Sequence, residues 1–180
     1  RYKLSMEMAG RFAWEGREYA VELARQIIGG NITKRVHNFH NYAWEESHRG
    51  KLLTVVRKGS TPCFPNQEGF VGGSMGDNAV IVEGIDSEES KRMLYSTIHG
   101  AGRVFGRKQA KDIFRKEDMM KWMHSKNIQL RGGELDESPM AYRRLTDVLR
   151  EHEQTTKVNH ILKPLIVLMA GNDVIDPYKD

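Results

Sequence analysis

Gly69-Phe70-Val71-Gly72-Gly73-Ser74-Met75-Gly76-Asp77-Asn78-Ala79-Val80-Ile81-Val82-Glu83 carries two short apolar runs, 69–71 and 79–83, with a glycine-rich loop between them. β-branched residues bounded by turn formers read as strands. Working outward, 52–56 reads as another strand, 86–95 as a helix capped by Asp86 or Ser87, and 104–114 and 118–124 as helices, the second turning Trp122 and its methionines inward. A strand is expected at 128–130 and a helix from Ser138, with Pro139 at its first position, to about Glu153. A strand pair bent at Pro164 should fill 157–169, before a polar tail at 173–180. Ahead of all this, Tyr2, Leu4, Met8, Phe12, Tyr19, Leu23 and Ile27 recur every three or four residues. That spacing predicts an amphipathic helix, or two with a break near Gly16, ending at Gly29-Gly30 with its apolar stripe in the core. Short strands flanked by helices, with no regular βα alternation, argue for an α+β fold over a doubly wound sheet.

The 180 residues, 39% of them hydrophobic, suffice for one domain with a core of its own. A net charge of +4 and a pI near 9.2 permit a nucleic-acid or nucleotide partner without demanding one. A single cysteine, Cys63, excludes an intrachain disulfide framework and a cysteine-only zinc site, and fits a reducing cytoplasm. No apolar run approaches the ~20 residues of a membrane span, so no membrane partner is expected. The chain opens on Arg1, inside what reads as helix, as expected of a piece of a longer protein.

The chemistry concentrates around His99. It is followed by the small-residue turn Gly100-Ala101-Gly102 and by Arg103 and Arg107, placed four apart as if on one helix face. Glycines let backbone approach a ligand closely, and successive N–H groups in such a turn suit an anion. An imidazole beside a phosphate cradle is a candidate nucleophile. His37, His40 and His48 form the densest imidazole cluster, without the spacing of a closed zinc motif. Arg57-Lys58-Gly59-Ser60-Thr61 runs two cations into a turn, and the 72–76 loop offers backbone donors with one hydroxyl, although it has neither P-loop nor dinucleotide order.

Taken in order, His37-Asn38, the RKGST run, GGSMG at 72–76, HGAGR at 99–103 and Asp136-Glu137-Ser138-Pro139 with Tyr142 resemble the RtcB-type RNA-splicing ligases. The likeness spans essentially the whole chain, through Leu162-Lys163-Pro164. It implies a GTP- and manganese-dependent ligase that joins RNA 3′-phosphate or 2′,3′-cyclic phosphate ends to 5′-hydroxyl ends. The fold it implies is a layered β-sandwich core with peripheral helices, of which this chain holds the C-terminal portion. A partial core of that kind should expose apolar surface. On the resemblance, His99 is the histidine that becomes guanylylated and His37 a metal ligand. Asn38, Gly72, Gly73, Ser74, Met75, Gly100, Ala101, Gly102 and Tyr142 then belong to the nucleotide pocket. Arg103, Arg107, Arg57 and Lys58 are the candidate RNA phosphate contacts.

The departures bear on function. Gly72 stands where the family usually has proline, and Ala79 and Gly106 where it has serine. Ala170 replaces the lysine of a closing lysine-glycine pair, which leaves Lys163 or Lys179 to take its place. The family's other metal ligands lie upstream, in elements this chain lacks, and Cys63 sits in a different context from theirs. The remaining ligands would come from an N-terminal half on the same or a separate polypeptide. The alternatives are a non-catalytic nucleotide- or RNA-binding remnant and a metal-dependent phosphoesterase.

Overall fold

A computed structural model describes residues 1–170. The expected polar tail and Lys179 lie outside the described residues. The chain runs α1 (Tyr2–Ile28), β1 (Asn41–His48), β2 (Lys51–Lys58), β3 (Ser60–Pro62), β4 (Glu68–Val71), β5 (Ala79–Gly84), α2 (Glu88–Arg92), β6 (Ser96–Ile98) and α3 (Arg107–Ile113). It continues α4 (Lys116–Ser125), β7 (Gln129–Arg131), 3₁₀ turns at Leu135–Glu137 and Pro139–Ala141, α5 (Leu145–Arg150), β8 (Thr156–Leu162) and β9 (Ile166–Leu168). Among the described residues the strands form a β1–β2 hairpin, an antiparallel β3–β6 pair, an antiparallel β4–β5–β8 sheet and a parallel β7–β9 pair. The class is α+β, as the strand and helix pattern predicts.

The quoted stretch builds the centre. β4 and β5 pair with Gly69 opposite Val82 and Val71 opposite Val80. Alternation sends Val71, Val80 and Val82 inward, where Ala101 and Leu145 close on them and Ile98 and Leu149 pack alongside. The strand ends at Gly84, where a Cβ would stand 2.1 Å from the Phe64 carbonyl oxygen and 2.5 Å from that of Cys63. Both obstacles are backbone. Gly84→Ala is therefore expected to destabilise the chain by at least about 2 kcal/mol, read as a lower urea midpoint at unchanged slope.

The hairpin β1–β2 turns on Arg49 and Gly50, both at positive φ (50° and 73°), the backbone that a two-residue hairpin loop needs. Arg57 fastens this hairpin to the body. It is 2% exposed, and it donates to both carboxylate oxygens of Glu46 at 2.6 and 2.9 Å, to Ser96 Oγ at 2.8 Å and to the Leu94 carbonyl at 2.8 Å. The guanidinium also lies 5.0 Å from the Trp44 ring centroid. Arg57, expected as an RNA contact, thus has four of its five donors engaged inside the fold.

α1 takes the first of its two expected forms, while other expectations change. α1 is one continuous helix without a break at Gly16, and none of its residues is buried; Tyr2 and Phe12 are each 83% exposed. Its stripe is not core. Leu52 and Val56 of β2, Ile161 of β8 and Leu168 of β9 are also exposed. The helix expected at 86–95 spans only Glu88–Arg92, capped by Ser87 Oγ accepting from Ser90 N–H at 3.0 Å. Leu94 and Tyr95 then take left-handed backbone, and their carbonyls accept from Arg57 and from the Cys63 N–H.

Arg103 precedes the helix instead of sharing a face with Arg107, because α3 begins only after Gly106. The segment 102–104 instead pairs with 141–143: Val104 N–H donates to Ala141, Arg143 N–H to Gly102, and Arg103 bridges Tyr142. That pairing holds 142 extended, so the helix expected from Ser138 is reduced to a 3₁₀ turn and the short α5. β8 and β9 are both present but join different sheets, β8 beside β5 and β9 beside β7.

Candidate active site

The core places two loops side by side. The Gly72 N–H donates to the His99 carbonyl at 3.3 Å, and the Ala101 N–H donates back to the Gly72 carbonyl at 3.2 Å. A Cβ on Gly100 would stand 3.3 Å from that same Gly72 oxygen. The glycine loop and the histidine turn are thereby locked in register above Val71 and Ala101.

His99 follows β6 and is exposed. Its imidazole stacks on His40, with centroids 4.8 Å apart and planes 8° from parallel. Gly59, at φ +67°, lets the RKGST turn pass beneath this ring, since its Cβ position is 3.5 Å from His99 Nε2. The Gly59 N–H donates to the His40 carbonyl at 2.7 Å, which ties that turn to the stacked pair. Burial lowers the His40 pKa, and the nearby His99, Arg17 and Lys58 charges lower it further, so His40 is a neutral ring at pH 7.

A cleft of about 360 Å³ opens here, and His37, Asn38, His40, Gly72 and His99 line it. Four of the expected site residues therefore converge, from segments widely separated in the chain. The cleft's other wall is α1. Trp14 stacks on His37 with centroids 3.6 Å apart. Arg17 Nε donates to His37 Nε2 at 2.6 Å. A guanidinium only donates, so His37 carries its proton on Nδ1 and gives it to Glu18 Oε1 at 2.9 Å. Glu18 is also paired with Arg35.

Asn38 is stapled to β4: its Oδ1 accepts from the Phe70 N–H at 2.9 Å and its Nδ2 donates to the Glu68 carbonyl at 3.3 Å. Gly73, Ser74 and Met75 do not line the cleft. Gly73 is required by its own loop, where a Cβ would stand 2.3 Å from the Asn78 oxygen. Ser74 is buried with an unpartnered hydroxyl, and Met75 packs at Gly133. Tyr142 stands at the Gly102–Arg103 end of the turn. It takes a 2.8 Å hydrogen bond from Arg103 and donates its own to Glu137, and Glu137 also pairs with Arg107 at 3.3 Å. Arg103 and Arg107 thus meet at one carboxylate despite leaving different elements. Burial and Glu137 raise the Tyr142 pKa, so it remains a neutral phenol. Lys58 is exposed.

Manganese does not fit the described residues alone. They contain no group of three or more histidine, cysteine or acidic side chains able to hold an ion, and both His37 nitrogens are engaged. Cys63 is buried, with its pKa raised to about 11 by burial and by Glu83, in keeping with its exclusion as a ligand. No helix of the described residues is long and apolar enough to cross a membrane.

The order of motifs and their convergence on one cleft can be compared with known proteins. The family model described as tRNA-splicing ligase RtcB matches residues 1–170. The chain belongs to the RtcB family. It is 35% identical over 127 residues to the RNA-splicing ligase RtcB of Escherichia coli (strain K12), covering 71% of this chain. To the tRNA-splicing ligase RtcB of Pyrococcus horikoshii it is 28% identical over 183 aligned residues, covering 83% of this chain. These alignments cover 30% and 21% of the two relatives, so this RtcB-family chain spans less than a third of either. The residues that spacing alone missed are Trp14, Arg17 and Glu18. Their signal was present as i, i+3 and i+4 spacing on α1, but nothing local ties that face to His37.

Proposed function

We propose that the chain is the C-terminal catalytic portion of a GTP-dependent RNA ligase, with His99 as the nucleophile. The observation that carries this reading is the exposed His99 imidazole, stacked on a neutral partner at the mouth of a cleft that also gathers His37, Asn38 and Gly72. An uncharged ring has the lone pair a nucleophile needs. In the proposed sequence an imidazole nitrogen attacks the α-phosphorus of GTP; the N–P bond forms and pyrophosphate leaves. An RNA 3′-phosphate oxygen then takes the guanylate from His99, and the 5′-hydroxyl oxygen of the second RNA displaces GMP.

The cofactors GTP and manganese come to the proposal from the family resemblance. His37, both of whose nitrogens are engaged here by Arg17 and Glu18, is a metal ligand only on the resemblance; the remaining ligands would be supplied by the part of an RtcB-type ligase that this chain does not span. That portion would also cover the open faces of α1, β2, β8 and β9. No step above is routed through the metal. Arg103, Arg107 and Lys58 remain the proposed RNA phosphate contacts.

Intact mass after incubation with GTP and Mn²⁺ tests the reading, with the chain alone and then with the N-terminal portion of an RtcB-type ligase added. The expected result is one guanylate per chain when both portions are present. No adduct under either condition would remove the ligase reading in favour of a non-catalytic nucleotide- or RNA-binding role.

A further inference from the structure

The cleft that holds His99 is lined by two side chains, one in α1 and one in β3, with polar atoms that have no hydrogen-bond partner among the described residues. Arg17 is held in place: its Nε donates to His37 and its guanidinium lies 5.8 Å from the Phe39 ring centroid. Its Nη2 is nevertheless buried with no hydrogen-bond partner among the described residues. Thr61, in β3, is 2% exposed, and its Oγ1 is likewise buried and unpartnered. Both residues line the cleft that holds His99. A buried donor without an acceptor is costly, and a charged one more so, so such atoms are retained where something else completes them.

The surrounding charges point to an anion. Of the two guanidiniums lining the cleft, Arg35 is committed to Glu18, and Glu18 is further occupied by the His37 Nδ1–H. Glu18, the one carboxylate that the described residues contribute to the lining, is therefore spent, and Arg17 makes no ion pair among the described residues. The same charge helps to lower the pKa of His40, the ring stacked on His99, which sets Arg17 electrostatically beside the proposed nucleophile. Glu18 and His37 act behind it: Glu18 fixes the His37 tautomer, and His37 then fixes the guanidinium.

We propose that Arg17 and Thr61 form a phosphate-binding wall of the His99 cleft, taking a phosphate group of the nucleotide or of an RNA end. The planar Arg17 fork supplies charge-assisted hydrogen bonds and the Thr61 hydroxyl one more, on a group that a nucleophile at His99 must be able to reach. The proposal rests on the nucleotide reading of this cleft, yet it makes a claim that needs neither guanylylation nor metal.

The test is calorimetric titration of the 180-residue chain with pyrophosphate, without Mn²⁺ or GTP. Pyrophosphate is expected to bind, Arg17→Met to weaken it roughly tenfold or more, and Thr61→Val by about threefold or more. Thr97→Val is the control. Thr97 pairs with Thr61 across β3 and β6 and also has an orphaned hydroxyl, but it does not line the cleft, so its removal should leave binding unchanged. Circular dichroism melts establish that each variant is folded, and Thr61→Val carries the test should Arg17→Met loosen α1.

Competition identifies the source of the phosphate. Displacement by a 3′-phosphorylated dinucleotide but not by its 3′-hydroxyl counterpart assigns the wall to the RNA end; displacement by GTP alone assigns it to the nucleotide. No pyrophosphate binding, equal binding across the panel, or displacement by none of these ligands would overturn the proposal. A chain that binds pyrophosphate as expected but never acquires guanylate keeps the phosphate wall and loses the ligase mechanism.

Discussion

His99→Ala is expected to abolish guanylate attachment completely while leaving the urea unfolding midpoint of the chain unchanged. The first half follows from chemistry: without the imidazole there is no nitrogen to form the N–P bond, and the loss is total rather than graded. The second half follows from placement. His99 is exposed, and its ring contributes a stack on His40 rather than a buried hydrogen bond. Truncating an exposed side chain of this kind changes stability by about half a kcal/mol or less. The stack also sets the necessary control, because His40 is a second imidazole with its ring centroid 4.8 Å away. His40→Ala should slow labelling yet leave the adduct on the peptide that contains His99. An adduct that persists in His99→Ala and disappears in His40→Ala would move the nucleophile from one ring to the other.

What the sequence made legible is the material of the cleft; what it hid is the wall that faces His99. The 69–83 stretch folds as its alternation requires, because β4 and β5 pair with each other locally and their valines have one side to bury. Ser87 caps α2 as expected for the same reason: capping is settled within one turn. Helical period, by contrast, reports that α1 has an apolar stripe but not what covers it. The stripe lies open, while Trp14, Arg17 and Glu18 reach His37 in the loop between α1 and β1. β1 escaped notice because Glu45-Glu46 breaks its apolar alternation, although Arg49-Gly50 marked the hairpin that makes it a strand. At Ser138-Pro139 the local helix-start signals prevail for a single turn. Tertiary pairing of 141–143 with 102–104 then overrides them, drawing Tyr142 to Arg103 at the histidine turn.

Arg57 supplies the second large effect, and it separates a structural cation from an RNA contact. Arg57→Met is expected to destabilise the chain by about 3–5 kcal/mol, because it strips the partner from Glu46, whose side chain is only 9% exposed. Urea titration of the variant reads that loss directly. Replacing both members, as Arg57→Met with Glu46→Leu, should recover part of it, since the main penalty is the unpaired buried carboxylate rather than the absent attraction. The pair also fixes a pH dependence. Burial pushes the Glu46 pKa up, but hydrogen bonds from Arg57 and His48 outweigh it, and the net pKa lies below the ordinary glutamate value. A carboxylate with a depressed folded pKa adds stability that is fully present above its unfolded pKa near 4.5 and is lost as pH falls through the folded value. Stability should therefore decline on acidification below about pH 4.5, and Arg57→Met should flatten this decline. Were Arg57 an RNA ligand, the variant would instead unfold at the normal midpoint and bind RNA with a smaller salt dependence. Four hydrogen bonds to Glu46, Ser96 and Leu94 leave its guanidinium committed to joining the hairpin to β6, and β6 is the strand that delivers His99.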